Sequence, residues 1–347
     1  MPPSRPDAAE RLAALALSLA DGVGSATHRD LCARFGSASR ALDARGDAAR
    51  LRAAAQTLER NVEAAGAQLF VRDQADYPEA LNALEHPPLW ITTRGSLAHL
   101  DGPGVAIVGT REASPYGTRI AREIAHAVVR AGGVVVSGLA RGIDAVAHRA
   151  ALESGGATIA VLGTGVNVPY PVGHRALLEE VAKYGLVMSE RAPGATATQG
   201  AFPNRNRIIA ALARVTIVVE AGRASGALIT AACATAIGRE VMAVPGPVEA
   251  PMSIGCNELI RDGAYIVTAI DDVLHAAGLT AVKAASRSAT LAGPAKAVYD
   301  ALAQGPLGPD ALAAVSRLPA RTCLAAVTEL ELAGLVECGF TGEIRRR

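Results

Sequence analysis

The sequence predicts an α/β protein: a doubly wound parallel sheet with a small helical domain before it and a winged helix after it. Three observations carry this. Short, β-branched and wholly apolar runs alternate with helical patterns across residues 104–277. Those runs end in glycine, arginine or both. Outside them the chain carries helix-like periodicity interrupted by glycine.

Taken in order, residues 1–75 read as a domain of short helices at 8–20, 25–35 and 47–65. The turn Gly22-Val23-Gly24-Ser25 has the form of hairpins that touch nucleic-acid backbones, and equally of a plain packing turn. In the domain 76–278, strands are expected at 105–109, 133–137, 157–162, 186–189, 215–219, 240–244 and 264–267. They show no polar alternation, as befits strands covered on both faces. Helices are expected between them at 115–131, 143–154, 173–184, 205–213, 226–237 and 270–277. Residues 279–292 are small and polar without periodicity, and read as a linker. In 293–347, helical patterns at 294–303, 309–315 and 319–333 precede a hairpin at 335–346 with Gly339 and Gly342 at turn positions. Three helices and a hairpin is the order of a winged helix.

Net charge is only +1, so a polyanion site has to be local. Arginine dominates the 34 basic residues, with lysine only at 183, 283 and 296, a bias of the kind a GC-rich genome produces. Five scattered cysteines without a CxxC pair argue against a disulfide framework or a structural zinc, and for a reducing compartment. The run Leu12 to Ala20 follows Asp7 and Glu10, flanks unlike those of a signal peptide. No stretch reaches the ~20 apolar residues of a membrane span. A cytoplasmic protein without a membrane association is expected.

Ligands of open parallel sheets sit beyond the carboxyl ends of the strands. Those ends carry Gly109-Thr110-Arg111, Ser137-Gly138 with Arg141, Gly163-Thr164-Gly165, Glu190-Arg191, and Glu220 with Arg223. Residues 104–220 hold twelve basic against eight acidic side chains. Glycine admits a close ligand backbone, and arginine offers a forked donor to phosphate. The segment Phe202-Pro203-Asn204-Arg205-Asn206-Arg207 before Ile208-Ile209 reads as a loop entering a helix capped by Asn204. Arg205 and Arg207 then fall in the first turn, where cations are disfavoured by ~0.3–1 kcal/mol each unless an anion faces them. Arginines on several loops, with Phe202 and Tyr170 as ring faces, fit single-stranded nucleic acid better than a mononucleotide or a duplex.

Other chemistries fare worse. GxxxxGK[ST], GxGxxG and GxSxG are all missing. Asp144 and His148 stand at i,i+4, but lack a third metal ligand and read as structural, with no metal or cofactor expected. Glu190 and Glu220 are the best catalytic candidates, and read more simply as groups that orient neighbouring arginines. A nucleotide phosphoribohydrolase on the same sheet would need a PGGxGTxxE segment, which the sequence lacks. A winged-helix regulator of duplex DNA finds its support in Arg345-Arg346-Arg347.

Ordered motifs across 104–268 resemble the DprA (Smf) family: Val105-Ala-Ile-Val-Gly-Thr-Arg111, Ser137-Gly-Leu-Ala-Arg-Gly-Ile-Asp144, Ala160-Val-Leu-Gly-Thr-Gly165, Phe202 to Arg207, Ser225-Gly-Ala-Leu-Ile-Thr230 and Gly255-Cys-Asn-Glu-Leu-Ile260. Thr110, Asn167 and Ala227 depart from the common Ser, Asp and Ser. The resemblance implies an extended Rossmann-like core between a SAM-like helical domain and a winged helix. It implies a non-enzymatic protein of natural transformation that binds and protects incoming single-stranded DNA and loads RecA. A homodimer is implied, and a single-strand-binding protein is a further candidate partner. Arg111, Phe202, Arg205 and Arg207 would contact DNA, with Gly109, Ser137 and Gly138 lining the pocket. The rim adds Arg141, Gly163, Gly165 and Asn204. On this reading, Arg111→Glu or Arg205→Glu abolishes binding and leaves the fold intact.

Overall fold

The computed structural model describes residues 8–198, 200–280, 291–332, 335–339 and 342–346. Four helices open it: α1 (Ala8–Ser18), α2 (Ser25–Phe35), α3 (Ala38–Asp43) and α4 (Ala48–Ala64). Leu15, Leu17, Leu42 and Leu51 close their common core. The helix α3 was not expected. Six residues are too few to display a period, and it is fixed by Ser37, whose side chain accepts the Arg40 N–H.

Nine strands follow in the chain: β1 (Gln68–Val71), β2 (Trp90–Gly95), β3 (Gly104–Val108), β4 (Val134–Ser137), β5 (Thr158–Leu162), β6 (Leu186–Ser189), β7 (Val215–Val218), β8 (Glu240–Ala243) and β9 (Tyr265–Ile266). They form one sheet in the order β1-β2-β6-β5-β4-β3-β7-β8-β9. All seven expected strands are present and mutually parallel. The sheet is wider than expected, because β2 joins β6 and β1 joins β2, both antiparallel. Thr92 and Thr93 of β2 are fully buried, so its sequence hides a core strand behind polar residues. β1 lies inside the stretch read as purely helical.

Helices cover both faces. α5 (Pro115–Arg130), α6 (Ile143–Glu153) and α11 (Ile270–Ala276) pack on Val105, Ile107 and Val135. α7 (Arg175–Tyr184) packs on Ala160, Leu162 and Val187. α8 (Ala201–Ala211), α9 (Gly226–Ala236) and the unexpected α10 (Ile254–Arg261) pack on the opposite side, against Ala106, Val108 and Val136. Chain order runs leftward from β3 through β6 and then restarts at β7 on the other side of β3. The β3/β7 gap is therefore the switch point, where an open sheet leaves a crevice.

The chain divides into two compact units, one up to residue 281 and one from 282. The first unit holds the N-terminal helices together with the sheet. Most of the expected linker, residues 281–290, lies outside the described residues. The second unit has α12 (Gly293–Ala301), α13 (Pro309–Ser316) and α14 (Ala320–Leu332), then the hairpin β10 (Val336–Cys338) and β11 (Ile344–Arg346). Leu307 pairs with Ile344 as a third strand position, completing a winged helix around Val298, Leu312 and Leu330. Leu330 is fully buried in this small core. Leu330→Ala is expected to destabilise the second unit by about 2–5 kcal/mol, lowering its calorimetric transition and leaving that of the first unit in place.

Candidate nucleic-acid interface

The switch-point crevice is a cavity of about 700 Å³. The loops after β3 (Gly109 to Glu112) and β7 (from Gly222) form its sides, and the start of α9 closes one end. A smaller cavity of about 290 Å³ adjoins it, lined by Gly138, Arg141, Tyr170 and Val172. Arg111, Phe202 and Arg205 line both.

Two expectations about the Phe202–Arg207 segment are corrected. α8 starts at Ala201, with Gly200 (φ 82°) as its N-cap. Asn204 is inside the helix, its N–H donating to the Gly200 carbonyl at 3.1 Å. Pro203 explains the early start, since first-turn residues have no use for the missing N–H. Arg205 and Arg207 are therefore beyond the first turn, and the repulsive-dipole argument does not apply to them. Their charges have other partners.

Arg205 is 7% exposed. Its Nη1 donates to the Gly138 carbonyl at 2.7 Å and to the Val161 carbonyl, and its Nε to Asn206 Oδ1 at 3.2 Å. Burial pulls its pKa down to about 10, Asp144 opposing, so it stays charged at neutral pH. It clamps α8 to the carboxyl ends of β4 and β5. Arg205→Glu would set a carboxylate against two carbonyls and disrupt the fold, contrary to expectation. Gly138 is required here, because a Cβ would stand 2.3 Å from the Arg205 guanidinium. Arg207 is also engaged, with Nη2 on Glu190 at 2.5 Å. Asn206 Nδ2 donates to the Gly226 carbonyl at 3.0 Å and ties α8 to α9.

The acidic candidates have partners within the fold. Asp144 accepts from the Gly138 and Ala140 N–H groups at 3.1 and 3.4 Å. Burial raises its pKa, with Arg205 and those N–H groups pulling the other way. His148 Nε2 accepts from the Leu139 N–H at 3.3 Å, which leaves Nδ1 to donate to Thr158 Oγ1 at 2.7 Å. Together they hold Leu139 at φ 58°, a left-handed conformation that a leucine adopts only when its surroundings demand it. Glu190 does orient an arginine, Arg207. Glu220 instead takes the Ser114 N–H and Oγ–H at 2.9 and 2.5 Å, bracing the start of α5.

Of the expected pocket glycines, Gly109 lines the large cavity and Gly138 the small one. Gly165 is buried, with the Ala192 carbonyl where a Cβ would stand, and Ser137 is buried on the Ile107 carbonyl. Neither lines the two crevice cavities. Gly163 and Asn204 line a third cavity together with Arg191. Thr110 Oγ1 serves its own loop by accepting the Glu112 N–H at 3.2 Å, and Asn167 accepts the Gly194 N–H at 2.7 Å.

Arg111, Arg141 and Tyr170 face solvent at the crevice, as does the carboxylate of Glu112 on the loop after β3. No ion pair engages Arg111, Arg141 or Arg191 among the described residues, whereas Arg223 pairs with Glu258. The Phe202 ring is covered on two sides, by Tyr170 (centroids 4.8 Å apart, 37° tilt) and by the Arg111 guanidinium at 5.8 Å. Tyr170, at 41% exposure, is the ring left open.

Residues 68–278 match DNA recombination-mediator protein A, 8–65 a DprA-like N-terminal HHH domain and 282–339 the DprA winged helix domain. The chain belongs to the DprA family. It is 42% identical over 262 residues to a DNA processing protein DprA of Mycobacterium tuberculosis, covering 73% of this chain and 67% of that one. Against DNA processing protein DprA of Streptococcus pneumoniae, identity is 43% over 198 residues, covering 57% and 70%. The crystal structure of the pneumococcal DprA superposes with a TM-score of 0.66, covering 78% of this chain and 98% of that one at 33% identity. DNA processing protein A of Helicobacter pylori, solved to describe its single-stranded DNA binding mode, gives 0.56 at 29% identity, covering 60% and 94%. The family reading of the motifs and of the three-part α/β architecture holds. Among the described residues, no helix is long and apolar enough to cross a membrane.

The buried His148 gives this site a pH signature. Burial pushes its pKa down to about 3, with Arg205, His174 and Arg149 adding to the effect. The folded chain refuses a proton that the unfolded chain accepts near pH 6.5. Stability is thus complete above that pH and falls as pH drops towards 3. His28 and His126 are lowered in the same sense, also by burial. Melting temperature is expected to fall between about pH 7 and pH 5, and less steeply in His148→Gln; equal slopes would show that His148 does not titrate in this range.

Proposed function

We propose that this protein is a single-stranded DNA-binding recombination mediator. It holds a strand across the carboxyl rim of the sheet and hands it to RecA during natural transformation. The observation that carries the reading is the pairing of two exposed, unpaired arginines, Arg111 and Arg141, with the Tyr170–Phe202 rings at the switch-point crevice. Phosphates would lie on the arginines. A base would stack on Tyr170, with Phe202 backing it, a change from the expectation that Phe202 makes the contact itself. Arg205 supplies fixed positive charge beneath the strand.

The role is binding without a catalytic step. Both carboxylates that could act on a nucleotide are already engaged, Glu190 by Arg207 and Glu220 by Ser114. The duplex-DNA alternative loses its main support. Arg345 pairs with Glu337, and Arg346 stacks on Tyr299 at 4.0 Å, while Arg347 lies outside the described residues. We place the protein in the cytoplasm, protecting incoming DNA and taking strands coated by a single-strand-binding protein. The homodimer would form on the outer strand β9, whose Tyr265 and Ile266 are 62% and 45% exposed; sedimentation as a monomer at micromolar concentration would remove that part.

Arg111→Gln with Arg141→Gln is expected to weaken oligo-dT binding by at least ~30-fold in fluorescence anisotropy, and to lower the slope of log K against log[salt] by about 1.4. Tyr170→Ala should cost roughly 1–3 kcal/mol of affinity, with a salt slope like that of the wild type. Wild-type binding by both variants would place the groove elsewhere. RecA filaments on strands already coated by single-strand-binding protein should form faster with the protein present, and no faster with the double arginine variant.

A further inference from the structure

We propose that a second cavity, between the α1–α2 turn and the sheet rim, takes a phosphodiester of the same strand and makes the N-terminal helical segment part of the DNA groove. This rests on the single-strand reading above and extends it to a surface that reading does not use. The cavity measures about 570 Å³. On one side stand Ser25, Ala26 and Thr27 of α2, and on the other Arg191, Asn204 and Arg207. Arg205 forms a wall of this cavity as well as of the two crevice cavities, so a strand leaving Tyr170 and passing over Asn204 enters it.

The donors there are in excess. Arg191 has no ion pair among the described residues. Arg207 spends Nη2 on Glu190, but its Nη1 is buried without a partner, a condition proteins rarely leave in place. Glu190 is the acidic side chain of the cavity. It is already held by Arg207, and burial works against its charge. Opposite these arginines, α2 begins at Gly24, which offers no side chain to cap the free first-turn N–H groups. A tetrahedral anion between the two sides would be met by Arg191 and the α2 amides, with the charge of Arg207 behind them. A helical segment that only packed against the sheet would have no need of that convergence.

The test uses the full chain with Arg191→Gln, alone and with Ser25→Pro. Gly24 is extended (φ −89°, ψ −176°), and proline suits the first helical position, so Ser25→Pro removes an amide donor without unwinding α2. Thermal melts check both variants, and Arg191→Gln alone carries the test should the double variant melt early. Anisotropy is read with oligo-dT of about 20 and about 4 nucleotides, the shorter chosen to fill one subsite. The long oligomer should bind at least ~10-fold more weakly, with the salt slope reduced by about 0.7 for one lost phosphate, and the short one should be unchanged. Wild-type affinity and slope with the long oligomer, or equal weakening of both lengths, would overturn the proposal. Arg111→Gln runs alongside. If it binds like wild type, the groove itself is misplaced; if it fails to bind while Arg191→Gln binds normally, the second cavity alone is wrong.

Discussion

Much of this site depends on one buried charge. Arg205 occupies the place where the carboxyl ends of β4 and β5 meet the underside of α8, and its guanidinium takes up the Gly138 and Val161 carbonyls. Burying a guanidinium is costly unless its N–H groups are matched and a counter-charge is near. The Asp144 carboxylate, itself held by two backbone N–H groups, supplies that charge. Gly138 leaves the room. Through the next residue, Asn206, the same helix is pinned to the start of α9. The positions of Phe202 in front and Arg207 behind follow from that anchorage.

The arginines of the rim divide into two kinds. Arg205, Arg207 and Arg223 are engaged by carbonyls or carboxylates and shape the site. Arg111, Arg141 and Arg191 have no such partners among the described residues and are available to an anion. A near-neutral chain can carry a local polyanion surface in this way, because Glu190 and Glu258 are occupied in holding Arg207 and Arg223. The engaged arginines still contribute potential, and they cannot swing away with the ligand.

The parallel core was legible because its strands are short, apolar and evenly spaced. β1 and β2 were not, since Thr92 and Thr93 read as surface and only the neighbouring strands make them interior. For Arg205 a usable signal did exist. It lies three, four and seven residues before Ile208, Ile209 and Leu212, on the very stripe identified as buried. Assigning the helix start to Asn204 obscured that, because a Phe-Pro pair resembles loop and proline is equally at home in a first turn. The open ring of Tyr170 and the pairing of Glu190 with Arg207 depend on contacts across 32 and 17 residues. Composition and spacing carry no record of such contacts.

The two margins of the sheet are unlike. At β1, Arg11 of the first helix reaches the Leu69 carbonyl at 3.1 Å, and Leu69 and Val71 pack into the helical core. At β9, a two-residue strand shows both its side chains to solvent. A sheet open at both margins can polymerise without limit, and natural proteins guard against it. One shielded margin changes the arithmetic. Growth can occur at a single border, and meeting a second copy there in a two-fold arrangement consumes the border of each. The helices that shield β1 thus act as a stop on fibre formation.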